Sequence, residues 1–244
     1  GIPLEPYPIY PEDANTIFLT EGAAKDKDIL SKIQKSLMNG ADVIVTSGFL
    51  KAATPMGFQS ALANVAVTQR KALVNCYAYS NDGGITFGGF VEASKPVLIP
   101  QLEFMTNDTW ELIAGFGVDN SFPILIKTLY GKGRLYILTI PDDYGDLYHY
   151  PRTILNIIRG LFTKDLPINL ESFAKVALFA YDNDTFILHS FQPWYDSVGI
   201  ELKKSYSGLM DLVTGQVIKS EVQGDKKVIR LVLSPGINRV FKLI

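Results

Sequence analysis

The residues best suited to chemistry lie in one short stretch. Asp142, Asp143 and Asp146 are followed by His149 and interleaved with Tyr144, Tyr148 and Tyr150. Carboxylates accept hydrogen bonds from sugar hydroxyls, and aromatic rings offer an apolar face with a polar tip, so the loop is a candidate carbohydrate contact. The same composition also suits a solvated connection whose tyrosines pack against a neighbouring domain. Glu21 and Glu103 each stand at the end of an expected strand, and glycoside hydrolysis needs two carboxylates at a separation that only the fold can supply. Ser47 follows an apolar strand, but the residues two away are Val45 and Phe49, so the glycines of a nucleophile elbow are missing and a strand-end cap is expected. Trp194, in Gln192-Pro-Trp-Tyr-Asp196, reads either as a stacking platform or as a packing anchor between domains.

Other nucleophiles and ligands fall short. Cys76 is the single cysteine and sits in Val74-Asn75-Cys76-Tyr77, with no flanking glycine, so it reads as a packed strand residue and no intramolecular disulfide can form. His189, inside Phe186-Ile-Leu-His-Ser-Phe191, is expected to face solvent or a neighbour from a strand. Asp146 with His149 leaves a metal short of ligands, and Asp182-Asn183-Asp184 starts like a calcium loop but lacks its glycine. No metal and no cofactor is expected.

The elements that must position these residues begin with Thr16 to Leu50. A strand over 16–20, an amphipathic helix over about 26–39 and a buried strand over 42–45 form the pattern of a parallel crossover unit, with Ile29, Leu30, Ile33, Leu37 and Met38 on one helix face and Asn39-Gly40 as its stop. A weak helix or helix pair follows over 49–67. Strands are expected over 72–79, 85–91 and 96–102, the first two joined by a turn at Asn81-Asp82-Gly83-Gly84, and Thr106-Asn107-Asp108 would cap a short helix reaching Ala114. A hairpin over 122–130 and 134–140 turns at Gly131-Lys132-Gly133, and a second helix over 151–162 should pack beside the first. From about residue 166 the period is two, with short strands over 174–181, 185–191, 199–203, 208–213, 216–222, 226–233 and 239–243. The expected architecture is an α/β domain over 16–165, with a mainly parallel sheet, helices on both faces and a β-hairpin. A lead-in over 1–15 precedes it, and a small antiparallel β-sandwich over 166–244 follows.

Composition narrows the partners. Lys and Arg number 23 against 25 Asp and Glu, a formal net charge of -2, and no basic run is interleaved with exposed aromatics, which argues against nucleic acid. No apolar run approaches the ~20 residues of a membrane span. The chain starts at Gly1 and carries Pro3, Pro6, Pro8 and Pro11, a linker-like opening that suggests a C-terminal piece of a longer polypeptide with other domains as neighbours.

Two stretches carry a family resemblance. Asp28-Ile-Leu-Ser-Lys-Ile-Gln-Lys-Ser-Leu-Met-Asn-Gly-Ala-Asp-Val-Ile-Val-Thr-Ser-Gly48, with Leu129-Tyr-Gly-Lys-Gly-Arg-Leu-Tyr-Ile-Leu-Thr-Ile-Pro-Asp142, resembles class I glutamine-amidotransferase-like, flavodoxin-like domains such as the accessory domain of some β-galactosidases. Gly208-Leu-Met-Asp-Leu-Val-Thr-Gly-Gln-Val-Ile218 and Leu233-Ser-Pro-Gly-Ile-Asn-Arg-Val-Phe-Lys-Leu243 are similar to the terminal β-domains of glycoside hydrolases. The resemblance implies a non-catalytic region of a larger carbohydrate-active protein, secreted or periplasmic, that works in interdomain packing, homo-oligomerisation or weak glycan contact. The alternatives are a free-standing hydrolase acting on a carbohydrate, with Glu21, Glu103 or His149 at the strand-end rim, and a carbohydrate-binding module.

Overall fold

The computed structural model describes residues 1–81, 86–105, 107–118, 120–203 and 205–244. It divides into two compact units, one over Tyr7–His149 and the other made of Gly1–Pro6 with Tyr150–Ile244.

The first unit starts with the crossover. Strand β1 (Thr16–Leu19) pairs in parallel with β2 (Asp42–Thr46), and helix α1 (Ile29–Asn39) connects them. The buried face of α1 holds Ile29, Ile33 and Leu37, which pack on Ile17, Leu19, Val43 and Val45 in one core. Gly40 ends the helix at φ +102°, a left-handed conformation that a residue without Cβ adopts without strain, and Ala41 N then donates to Ser36 O at 3.0 Å. Helices α2 (Ser47–Ala53) and α3 (Phe58–Ala61) add Phe49, Leu50, Ala53 and Phe58 to the same core.

The remaining strands are β3 (Val65–Tyr79), β4 (Phe90–Phe104), β5 (Thr109–Gly117), β6 (Asn120–Tyr130) and β7 (Gly133–Leu138), and the sheet order is β1-β2-β7-β6-β5-β3-β4. Among the described residues only the β1-β2 and β2-β7 pairings are parallel. This overturns the expected flavodoxin-like, mainly parallel sheet, since 47% of the described residues are strand and 20% helix. The physical cause lies between residues 65 and 117, where antiparallel hairpins occupy the place of crossover helices. The strand expected over 96–102 is the later part of a single long strand, β4, whereas of the one expected over 85–91 only residues 90–91 are strand, and residues 82–85, with most of the expected turn, lie outside the described residues. The helix expected to reach Ala114 is strand β5. Asp108 caps nothing there; its carbonyl accepts from Thr128 Oγ1 at 2.9 Å and its carboxylate from Thr109 Oγ1 at 3.0 Å, which ties the strand start to β6.

The β6-β7 hairpin closes with Tyr130 opposite Gly133 and Gly131 at φ +61°. A Cβ on Gly133 would lie 2.3 Å from Ala41 O and 2.7 Å from Leu37 O, both backbone atoms that cannot yield. Gly133→Ala should therefore push α1 off the hairpin and cost about 2 kcal/mol, read as a lowered urea midpoint with an unchanged slope.

In the second unit, helix α4 (Arg152–Thr163) packs on β8 (Ile168–Glu171), so this helix groups with the C-terminal strands and not with α1. The other strands are β9 (Val176–Ala180), β10 (Thr185–Ser190), β11 (Asp196–Leu202), β12 (Gly208–Asp211), β13 (Val217–Lys219), β14 (Glu221–Gln223), β15 (Lys226–Leu233) and β16 (Asn238–Leu243). They form two antiparallel sheets, β13-β12-β16-β10-β9 and β14-β15-β11-β8. Leu178, Phe186, Leu188 and Phe241 of one sheet share a core with Ile200, Ile229 and Leu231 of the other. The run expected as one strand over 216–222 breaks at Ser220, which bonds Ser207 O through both N and Oγ and passes the chain from one sheet to the other.

Candidate functional site

Three parallel neighbours, β1, β2 and β7, deliver Glu21, Ser47 and the 142–149 segment to one end of the sheet, because parallel strands share their C-terminal edge. What each residue does there follows from its partners. Ser47 is buried, and its Oγ accepts a hydrogen bond from Ile140 N at 3.0 Å, tying the chain after β7 to the end of β2. The preceding Thr46 caps α2, its Oγ1 accepting from Phe49 N at 3.2 Å. The Glu21 carboxylate lies over Gly48 in the first turn of α2, where a Cβ would stand 3.4 Å from Glu21 Oε2. Glu21 also borders a surface depression of about 410 Å³ with Gly22, Ala24, Lys25 and Ala52.

The acidic and aromatic loop turns onto the β3-β4 hairpin. Asp142 N donates to Leu98 O at 3.2 Å and its carboxylate pairs with Lys71 at 2.5 Å. Asp143 Oδ1 accepts from Gly145 N at 2.8 Å, which shapes the turn. Asp146 pairs with Lys95 at 2.9 Å, and the His149 Nδ1 and Ser94 Oγ stand 2.7 Å apart. Tyr144 and Tyr148 remain largely exposed. Two of the three carboxylates read from the sequence as sugar acceptors, Asp142 and Asp146, are thus engaged with lysines of one hairpin. Glu103 is exposed on β4 opposite Ala66. Cys76 lies inside β3, in register with Glu92 on one side and Phe116 on the other, a strand interior and not an elbow. Among the described residues no group of three or more His, Cys, Asp or Glu could hold a metal ion, and no helix is long and apolar enough to cross a membrane.

Trp194 belongs to the other unit, exposed beside Tyr195. The same unit holds a buried polar cluster that sequence reading missed. Arg159 donates to Ser172 O at 2.6 Å, Phe173 O at 2.8 Å and Asn156 Oδ1 at 2.8 Å, and burial lowers its pKa to about 10. Asp196 is buried nearby, its carboxyl pushed up by desolvation and held back by Arg152 and Arg159. A second missed group is Glu111 on β5, whose Oε1 is buried without a hydrogen-bond partner and whose pKa desolvation raises to about 7. The available signal was a lone carboxylate inside Trp110-Glu-Leu-Ile-Ala114, which a helical reading turns harmlessly toward solvent.

Residues 1–143 match the family described as "Uncharacterized protein SSO3021, second domain", and residues 167–242 match "Probable glycosyl hydrolase, C-terminal domain". No curated protein matches the sequence. Among solved structures, Gan42B, a GH42 β-galactosidase from G. stearothermophilus, is 12% identical with a TM-score of 0.50, covering 95% of this chain and 32% of its own. A β-galactosidase from Bacillus circulans sp. alkalophilus is 11% identical with a TM-score of 0.49, covering 96% and 34%. A cold-adapted β-galactosidase from Rahnella sp. R3 is 13% identical with a TM-score of 0.46, covering 96% and 34%. The first of these likenesses shows a shared fold, and the chain spans about a third of the length of these three β-galactosidase structures.

Proposed function

We propose, for a chain that belongs to the family described as "Uncharacterized protein SSO3021, second domain" through its residues 1–143, a non-catalytic role within a larger carbohydrate-active protein. Its task on this reading is packing against other domains or copies, with weak glycan contact. The carbohydrate-active part is supported by the glycosyl hydrolase C-terminal match over 167–242 and by the likeness in fold to a GH42 β-galactosidase. The non-catalytic part rests on one observation: four polar groups at the strand-end rim are spent on structure. Ser47 Oγ holds Ile140 N, Asp142 holds Lys71, Asp146 holds Lys95 and His149 is bonded to Ser94. A glycosidase needs one carboxyl group protonated and a second ionised across the scissile bond, whereas the Asp142 and Asp146 carboxylates are each taken up by a lysine of the β3-β4 hairpin.

The chain should leave aryl-glycosides of galactose, glucose, mannose and xylose unhydrolysed above the buffer rate, with Glu21→Gln and Glu103→Gln indistinguishable from the parent. Turnover by the parent that is lost in either variant would replace this reading with that of a hydrolase.

A further inference from the structure

Resting on the accessory reading above, we propose that segments 172–175 and 191–195 of the C-terminal unit form a stacking platform for a neutral oligosaccharide. Four rings stand out on these segments, Phe173 48%, Phe191 62%, Trp194 57% and Tyr195 70% exposed. Rings left in water on mobile loops would be an unexplained loss of burial, but these loops are fixed. Phe191 N donates to Lys175 O at 2.8 Å and Gln192 Nε2 to Ala174 O at 2.8 Å, which zips the two segments together. The buried Arg159 fork donates to Ser172 O and Phe173 O. Phe191 is further steadied edge-on against His189, with ring centres 4.0 Å apart. The backbone that carries Phe173 and Phe191 is therefore tied down before any ligand arrives, and a pre-ordered ligand site avoids part of the entropy of ordering on binding.

The chemistry around the rings selects the ligand. The Arg152 guanidinium lies 5.5 Å over the Phe173 ring and bonds Glu171 O at 3.0 Å, which leaves it further N–H donors in its fork. Lys175, at φ +61°, is exposed on the first of the two segments. Neither segment contains Val, Leu, Ile or Met. Aromatic faces set beside the N–H donors of Arg152 and Lys175, without an aliphatic centre, complement a pyranose chain, whose C–H faces alternate with hydroxyl edges. A docked protein would be served better by a continuous apolar core.

The test is calorimetric titration of the intact chain with cellohexaose, xylohexaose, mannohexaose and galactotetraose. Trp194→Ala, Phe173→Ala and the ring-preserving Trp194→Phe are compared with Tyr148→Ala as a ring lost elsewhere, and each variant is checked for an unchanged melting transition. The expected result is saturable binding of at least one probe, weakened about tenfold by Trp194→Ala or Phe173→Ala, largely retained in Trp194→Phe and unaffected by Tyr148→Ala. No binding of any probe overturns the proposal, as does binding that the platform variants leave unchanged. Loss of self-association in Trp194→Ala without loss of sugar binding also overturns it, in favour of a protein partner. None of these outcomes involves hydrolysis, so the platform can fail while the accessory reading stands, and turnover can remove that reading independently.

Discussion

Glu111→Gln is expected to stabilise the protein at pH 8 and to flatten its stability profile between about pH 5 and 7. The carboxyl titrates near 7 in the folded chain because desolvation penalises its charged form, against 4.5 for an unperturbed glutamate. Below the lower value it is neutral in both states and contributes no penalty. As the pH rises between the two values the unfolded chain gives up its proton first, so the folded state binds more protons and stability falls with pH. Above the folded value the penalty is complete and constant. At 1.36 kcal/mol per pH unit it amounts to about 3 kcal/mol, reduced to about 2 kcal/mol by the partial exposure of the side chain. Glutamine keeps the shape and the buried oxygen while removing the charge. Urea unfolding at pH 5 and pH 8 should show the parent losing stability over that interval and the variant losing less by about the same 2 kcal/mol; parallel profiles would refute the assignment.

The placement of Glu111 also shows where the sequence could and could not be read. The crossover at Thr16 to Leu50 was legible because each boundary has a local cause: helical spacing of Ile29, Ile33 and Leu37, a left-handed stop at Gly40, and the apolar run of β2. The β6-β7 hairpin was legible from Gly131, although Gly133 serves close approach to α1 and not a positive φ. The stretch from 65 to 117 was not, because Asn107-Asp108-Thr109 offers the same short polar side chains to a helix cap and to a strand start. The deciding interaction, Thr128 Oγ1 to Asp108 O, lies 20 residues away. The site divides in the same way. The missing glycines around Ser47 are a local signal, but its bond to Ile140 N lies 93 positions away and the cap beside it is made by Thr46, while the lysine partners of Asp142 and Asp146 lie 71 and 51 positions upstream in the hairpin that local patterning misjudged.

Arg159→Ala should be the most damaging single change in the C-terminal unit. Apolar periodicity assigns α4 a buried stripe of Ile154, Ile158 and Phe162, and Arg159 is buried alongside it with 3% of its surface exposed. Its guanidinium satisfies the carbonyls of Ser172 and Phe173, and its charge offsets part of the cost of burying Asp196. Truncation would leave two carbonyl acceptors without their donor and Asp196 with less positive charge nearby, so its carboxyl would be pushed up further. Unpaired buried groups cost about 1 to 3 kcal/mol each, and breaking a buried charge cluster costs about 3 to 5 kcal/mol. For a unit of this size that lowers the melting transition by more than about 10 °C. Arg159→Lys should recover less than half of the loss, because one ammonium cannot reproduce a planar fork that reaches two successive carbonyls and Asn156 together. Differential scanning calorimetry of the intact chain, with Trp194 fluorescence reporting on the C-terminal unit, reads both variants. A transition within 3 °C of the parent for Arg159→Ala would mean that the cluster is solvated and that the loops carrying Phe173 and Trp194 are held by the strand ends alone.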